Sequence, residues 1–282
     1  MADVGWSLAV AHRGEVVHTE CTGPHTPATR FDLASTSKQF TALAAILTLD
    51  LDDEDWSLIH HQSGLPDYID LLVESGVTFQ ERTTIDDALA ALKGQKRAWD
   101  AGTRFEYSNT NYLLLGIRIA RTLGTPLPDV LEERIFAPLG LDMTMDPLGR
   151  MSNRATSFDE EGRPADSPWE QVGDGAIWST PSELARWGDS WSTAPFGDDV
   201  LAQQLRTVPG VDPEDGVAYG AGIFVLEDGR LHHGGDWGGF RSRFILDPVA
   251  RVTVAMCANQ PGLLPDDHGQ AILDEWTTRI GR

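Results

Sequence analysis

Apolar and polar residues alternate near the start of the chain. Trp6, Leu8 and Val10 fall on one side of an extended strand, His12-Arg13-Gly14 turns, and Glu15–Thr22 returns. This period of two predicts a β-hairpin over residues 4–22. The period then changes: Phe40, Leu43, Ala44 and Leu47 recur at helical spacing, so a core-anchored helix starts near residue 35. Residues 50–70 show neither period and read as irregular, with a turn-rich SGLPDY segment. Short helices are expected at 84–93 and 128–136, and Asn111–Leu123 is apolar nearly all round, as a buried helix would be. Thr180-Pro181-Ser182-Glu183 has the form of a capping box and predicts a helix to about Trp191. Four strand candidates follow, at 219–226, 230–235, 241–247 and 251–258. The segment 267–280 closes the chain as an amphipathic helix carrying Ile272, Leu273, Trp276 and Ile280 on one face.

Strands at both ends with helices between them predict an α+β fold in which an antiparallel sheet is built from both termini and flanked by helices. Residues 1–34 and 192–282 would form that sheet unit. Residues 35–191 would form an inserted, mainly helical unit, with the helix at residue 35 on the seam, where active sites commonly lie.

Composition narrows the function. The chain has 282 residues, 41% of them hydrophobic, and no apolar run reaches membrane-spanning length. A net charge of −21 argues against nucleic acid or an anionic membrane as partner. The first residues, MADVGWSLAV, lack the basic and apolar regions of a secretory signal, so a cytoplasmic location is expected. Cys21 and Cys257 both lie in strand-like stretches and read as small buried hydrophobes, not as a disulfide. No cluster has zinc spacing, and no metal or other cofactor is expected. The neighbours His60 and His61 should point in different directions.

The candidate chemistry begins at Ser35 and Lys38, which lie one turn apart at the head of the first helix, within reach of each other. A serine hydroxyl needs a base to become a nucleophile, and a lysine serves only where burial or positive potential favours its neutral form. The chain has only three lysines, Lys38, Lys93 and Lys96, so a lysine inside an apolar helix stands out. Tyr107 and Asn109 precede the buried helix and alternate, so both can enter one cleft, the phenol as proton shuttle and the amide orienting a carbonyl. Taken alone, they read equally as a core tyrosine and a helix cap. His233 sits on a strand, and the glycines after it would let a substrate backbone pair along the edge, which makes Gly235, Asp236 and Trp237 substrate-binding candidates.

In this order, ASTSK, YSN and HGG resemble the boxes of the penicillin-recognising serine hydrolase superfamily, which includes class C β-lactamases, DD-peptidases, D-aminopeptidases and related esterases. The likeness extends to HRGEVVH, SGLPDY, GAIWSTPSELARWG and GGFRSRFILDP, and so covers most of the chain. It implies a β-lactamase/transpeptidase-like fold and hydrolysis through an acyl-enzyme. Ser35 would be the nucleophile, Lys38 its proton acceptor, Tyr107 the proton shuttle and Asn109 a contact to the substrate's acyl side. His233 would close the site, and the backbone N–H groups of Ser35 and Asp236 would form the oxyanion hole.

Two departures from the family pattern stand out: the chain enters its first strand without a leading helix, and the connection over 50–62 is short. The first leaves the outer sheet face to be covered by a partner subunit, in a homo-oligomer, or by packing of Trp6 and Trp276. Members specialised for β-lactams and D-Ala-D-Ala peptides meet the substrate carboxylate with K-T-G, whereas His233 and Gly234 bring neither a permanent cation nor a hydroxyl. The expected substrates are therefore small esters or amides, D-amino acid derivatives included. β-Lactamase or DD-peptidase activity, and a catalytically retired binding or sensor role, are the alternatives.

Overall fold

The computed structural model describes residues 3–209, 216–264 and 268–281. The first two strands, β1 (Trp6–His12) and β2 (Glu15–Cys21), form the expected hairpin; Arg13 and Gly14, with φ of 52° and 76°, make its two-residue turn. Strands β3 (Phe31–Asp32), β4 (Thr144–Met145) and β5 (Ile177–Ser179) form a small sheet in the order β3-β5-β4. The remaining strands are β6 (Val208–Pro209), β7 (Ala218–Tyr219), β8 (Phe224–Val225), β9 (Leu231–Trp237), β10 (Phe240–Asp247) and β11 (Val252–Ala258). With β1 and β2 they complete an eight-stranded antiparallel sheet, β2-β1-β11-β10-β9-β8-β7-β6. Both ends of the chain meet where β1 pairs with β11, from Trp6 opposite Ala258 to His12 opposite Val252. This is the α+β architecture that the pattern predicts, an antiparallel sheet built from both termini and flanked by helices.

Strand parity divides the apolar residues between two cores. Ala9, Ala11, Phe244, Leu246, Ala255 and Cys257 face the helices and join the main cluster around Phe40, Tyr112 and Trp187. Leu8, Val10, Ile245, Val254 and Met256 face the other way, beneath the C-terminal helix His268–Ile280. Trp6 and Trp276 pack on that second cluster, with His18 and Arg279 against the Trp276 ring. Residue 267, the first of the predicted terminal helix, lies outside the described residues. Among those described, no helix is long and apolar enough to cross a membrane.

Three expectations change. Residues 50–70 contain two short helices, Asp53–Ile59 and Tyr68–Glu74. The first is held by a reciprocal capping box between Asp52 and Asp55, and the second by the Asp67 side chain accepting from the Ile69 N–H. Neither is long enough to show a period. The strand expected at 219–226 is broken into β7 and β8, because the Gly220–Gly222 turn presses on the first helix. A Cβ at Gly222 would lie 2.5 Å from the Gln39 backbone. The helix at Thr180 stops at Trp187. Thr180 caps the Glu183 N–H, but the Glu183 carboxylate turns to Arg186 and to the Asp142 N–H. This helix packs on β1 and β11 although it lies within the middle portion of the chain.

Ser7 on β1 is paired with Cys21 on one side and Cys257 on the other, so a whole strand separates the two free thiols. That places them roughly 9–10 Å apart, beyond disulfide geometry. Cys257 is fully buried, as read from the sequence, whereas Cys21 is partly exposed on the edge strand. Thiol titration of the denatured, unreduced protein is expected to give two free sulfhydryls; finding none contradicts the strand arrangement.

Candidate active site

Ser35 lies in a tight 3-10 turn, Ala34–Ser37, ahead of the α-helix Lys38–Thr48. The sequence placed both residues in one continuous helix. The tighter turn arises because Ala34 adopts φ 47°, held there by its N–H donating to Asp32 Oδ1 at 2.8 Å. Ser35 remains half-buried and opens to a cleft, while Lys38 has no exposed surface.

Lys38 Nζ makes three contacts: Ser35 Oγ at 3.0 Å, Asn109 Oδ1 at 2.8 Å and the Asp174 carbonyl oxygen at 2.7 Å. The last two atoms can only accept. A neutral lysine in this position would spend its two N–H groups on them, leaving its lone pair directed at the serine hydroxyl. The same set of contacts serves a protonated ammonium after it has taken the serine's proton. The Lys38 amine and the Ser35 hydroxyl are therefore arranged for proton transfer in either direction.

Both acceptors are themselves fixed. Asp67, from SGLPDY, takes the Asn109 N–H at 2.8 Å and its Nδ2–H at 2.9 Å, so the amide oxygen must face Lys38. The amide expected to touch substrate is thus engaged in holding the base, although Asn109 also lines the cleft. The Asp174 carbonyl is set by the loop before β5: Thr41 Oγ1 donates to Gly173 O at 2.7 Å, and the Ile177 N–H donates to Ser37 Oγ. Gly173 has φ 108°, and a Cβ there would lie 2.4 Å from the Tyr112 carbonyl oxygen, so only glycine lets the loop come this close. Asp174 and Asp67 are site residues that the sequence reading missed; the GDG and LPD turns were their only signal.

Tyr107 is close but less engaged. Lys38 Nζ lies 5.0 Å from the centre of its ring, and its hydroxyl forms no hydrogen bond among the described residues. His233 is buried, 6.3 Å from Tyr107 between ring centres, and its Nδ1–H donates to the Gly234 carbonyl at 2.6 Å. Burial, reinforced by the Lys38 charge, lowers its pKa to about 3, so the ring is neutral. Gly235 does not face the cleft. A Cβ there would lie 2.2 Å from the Leu33 carbonyl oxygen, so its role in the structure is to let β9 press on the nucleophile turn. Asp236 and Trp237 do line the cleft, with Tyr68, Ile69 and Trp169 opposite.

Two buried aspartates, Asp32 and Asp174, line the cleft beside Ser35, and among the described residues no lysine, arginine or histidine does; the Asp236 carboxylate is paired with Arg241 and Arg243. Burial raises the pKa of Asp174, against the opposing pull of Lys38, and pushes Asp32 up to about 7. Arg241 does not turn inward: its Nε meets Asp236 Oδ1 at 2.5 Å. The paired histidines diverge, His60 Nε2 meeting the Arg206 carbonyl at 2.7 Å while His61 points into the interior.

Comparison with known proteins agrees with this geometry. The Beta-lactamase family model matches residues 1–57 and 56–275. A D-aminopeptidase of Brucella canis is 29% identical over 272 residues, which covers 84% of this chain and 52% of that protein. The chain thus spans about half the length of the curated relatives it matches. The octameric penicillin-binding protein homologue from Pyrococcus abyssi superposes with a TM-score of 0.84 at 22% identity, covering 99% of this chain and 74% of its own. The D-amino acid amidase from Ochrobactrum anthropi SV3 gives 0.76 at 22%, covering 99% and 95%.

The neutral state of His233 has a measurable consequence. Unfolded, this histidine takes a proton near pH 6.5; folded, it stays neutral down to about 3. The unfolded state binds more protons between those values, so stability falls as pH drops through that window. In His233→Gln, urea unfolding is expected to show a shallower loss of stability between pH 6 and 4, by about 1.4 kcal/mol per pH unit. An unchanged slope means that His233 is protonated in the folded protein. With the family model matched over nearly the whole length, and a serine–lysine pair held as its boxes require, the chain belongs to the Beta-lactamase family.

Proposed function

We propose that this protein is a serine hydrolase that cleaves small amides and esters, D-amino acid derivatives among them, through an acyl-enzyme on Ser35. The observation that carries the reading is the buried Lys38 Nζ, fixed between Ser35 Oγ and two atoms that can only accept. Ser35 Oγ would attack the substrate carbonyl as its proton passes to Lys38. Tyr107 would relay a proton to the departing amine or alcohol, and water would then release the acid and restore the serine. No metal or organic cofactor is needed for these steps. In the same reading the nucleophile sits between two units, residues 1–34 with 192–282 and residues 35–191.

The sheet supplies the oxyanion donor. Gly238-Gly239 is a two-residue turn with φ of 49° and 82°, so Trp237 and Phe240 exchange both ladder hydrogen bonds. Alternation then turns the backbone groups of Asp236 and Gly234 away from β10. β8 pairs only with Leu231 and His232, which leaves that edge of β9 open beside Ser35. The Asp236 N–H is thus free to join the Ser35 N–H at the oxygen of a tetrahedral intermediate.

The electrostatics favour an amide or ester over a β-lactam. A substrate carboxylate would enter a cleft lined by Asp32 and Asp174 and, among the described residues, by no lysine, arginine or histidine, with Arg241 held by Asp236 on the other face of β9. A substrate amine suits the same lining. The D-aminopeptidase and D-amino acid amidase names of the similar proteins point the same way.

Covalent labelling by a fluorophosphonate, read by intact mass, should occur in the native protein and vanish in Ser35→Ala. Ser35→Ala should abolish turnover with the fold intact by circular dichroism, and Lys38→Ala should abolish it with a lowered melting temperature, because Asn109 Oδ1 and the Asp174 carbonyl lose their donor. A D-alanine p-nitroanilide and p-nitrophenyl acetate should be cleaved with higher kcat/KM than a chromogenic cephalosporin. A cephalosporin preference of tenfold or more, about 1.4 kcal/mol, replaces this reading with a β-lactamase. Neither label nor turnover on any of these substrates makes the protein a binding member of the family.

A further inference from the structure

Behind Tyr107 lies a second histidine that the reaction sequence above does not use. His61 is fully buried, and its ring centre is 4.2 Å from that of Tyr107, with the planes inclined by 32°. Phe105, Tyr112 and Tyr219 enclose it at 5.9, 5.0 and 5.0 Å. Its backbone is left-handed, φ 54°, a conformation in which histidine, asparagine and aspartate are enriched among non-glycine residues.

The protonation of this ring is fixed by its partners. Nδ1 receives the Ser108 N–H at 3.2 Å and the Asn111 Nδ2–H at 3.0 Å. The Asn111 orientation is itself set, because its oxygen accepts from the Ser63 hydroxyl. Two donors on Nδ1 leave the imidazole hydrogen on Nε2. His233, its ring centre 6.3 Å from that of Tyr107, has the opposite arrangement: Nδ1–H is spent on the Gly234 carbonyl, so its Nε2 is a lone pair. Both Nε2 atoms are buried and neither has a hydrogen-bond partner among the described residues. Tyr107 therefore has one donating and one accepting imidazole near it, with ring centres 4.2 and 6.3 Å away. The Nδ1 contacts explain an acceptor at residue 61, but not the Nε2–H, which is buried without a partner among the described residues.

We propose that His61 is a positioning residue for Tyr107, packing on the face of the phenol ring and offering it the fixed Nε2–H that has no other partner among the described residues. With the His233 lone pair as a nearby acceptor, that hydrogen would set the orientation in which the Tyr107 hydroxyl relays a proton between Lys38 and the leaving group. The inference rests on the reading of Tyr107 as that relay, and it assigns His61 no contact with substrate.

The test is a double-mutant cycle on kcat and KM for one D-alanine p-nitroanilide, using His61→Phe, Tyr107→Phe and the pair. His61→Phe keeps a ring against Tyr107 and removes both nitrogens. Its kcat is expected to fall about 10- to 100-fold with KM within about twofold, and the double variant should be no slower than Tyr107→Phe alone. Because phenylalanine is strained at φ 54°, Asn111→Asp serves as the second variant. Its carboxylate can only accept, which draws the imidazole hydrogen to Nδ1 and strips it from Nε2 while the ring stays in place. This variant should show the same fall in kcat, and 15N chemical shifts of His61 should report the changed tautomer. Wild-type kcat in Asn111→Asp with the tautomer changed overturns the proposal, as does a full additive loss in the double variant. An unchanged rate in Tyr107→Phe overturns the role of Tyr107, and this inference with it. Loss of rate in Tyr107→Phe with none in either the His61 or the Asn111 variant overturns this inference alone.

Discussion

A lysine with no exposed surface dominates the physics of this fold. Taking an ammonium out of water costs several kcal/mol unless its hydrogens are matched by acceptors. Lys38 finds them in a side chain 71 positions along the sequence and in a carbonyl 136 positions along it. Those separations explain why the middle of the chain must be laid down as it is. The helix Asn109–Leu123 has to start at Lys38, and the Gly173-Asp174 loop has to pass over it. Asp67 then has to cap its own helix and hold Asn109 at the same time. Each link is an ordinary hydrogen bond. Together they leave the third face of Nζ for Ser35.

Close backbone approach is the second requirement, and glycine meets it at three points around the nucleophile turn. Gly173, Gly222 and Gly235 each sit where a Cβ would come within about 2.5 Å of another segment's backbone. Through them a β-turn and the β9 strand close on residues 33–39, and the Gly173 loop closes on the helix Asn109–Leu123. β8 turns away at Gly222 and leaves residues 233–237 unpaired on one side, next to Ser35.

The buried histidines form a third layer. His233 and His61 are both kept neutral by desolvation and by the nearby Lys38 charge, so each acts as a fixed donor and acceptor, not as a cation. This separates the protein from an arrangement in which a permanent cation closes the site, and it agrees with a cleft lining that, among the described residues, holds no lysine, arginine or histidine.

The sequence alone determined which residues could do chemistry and the order of the main elements. A period of two at the ends and helical spacing in the middle are local consequences of which face is buried, so the terminal strands and longer helices were legible. Ser35 and Lys38 were legible too, because one helical turn fixes their proximity. Tertiary structure decided the rest. That Asn109 holds Lys38, that Gly235 packs on Leu33, and that Asp67, Asp174 and His61 lie around Lys38, Asn109 and Tyr107 depend on contacts between segments far apart in the chain, which leave no period to read. The same holds for the break at Gly220–Gly222: a strand-like pattern yields where the sheet must make room for the helix that carries the nucleophile.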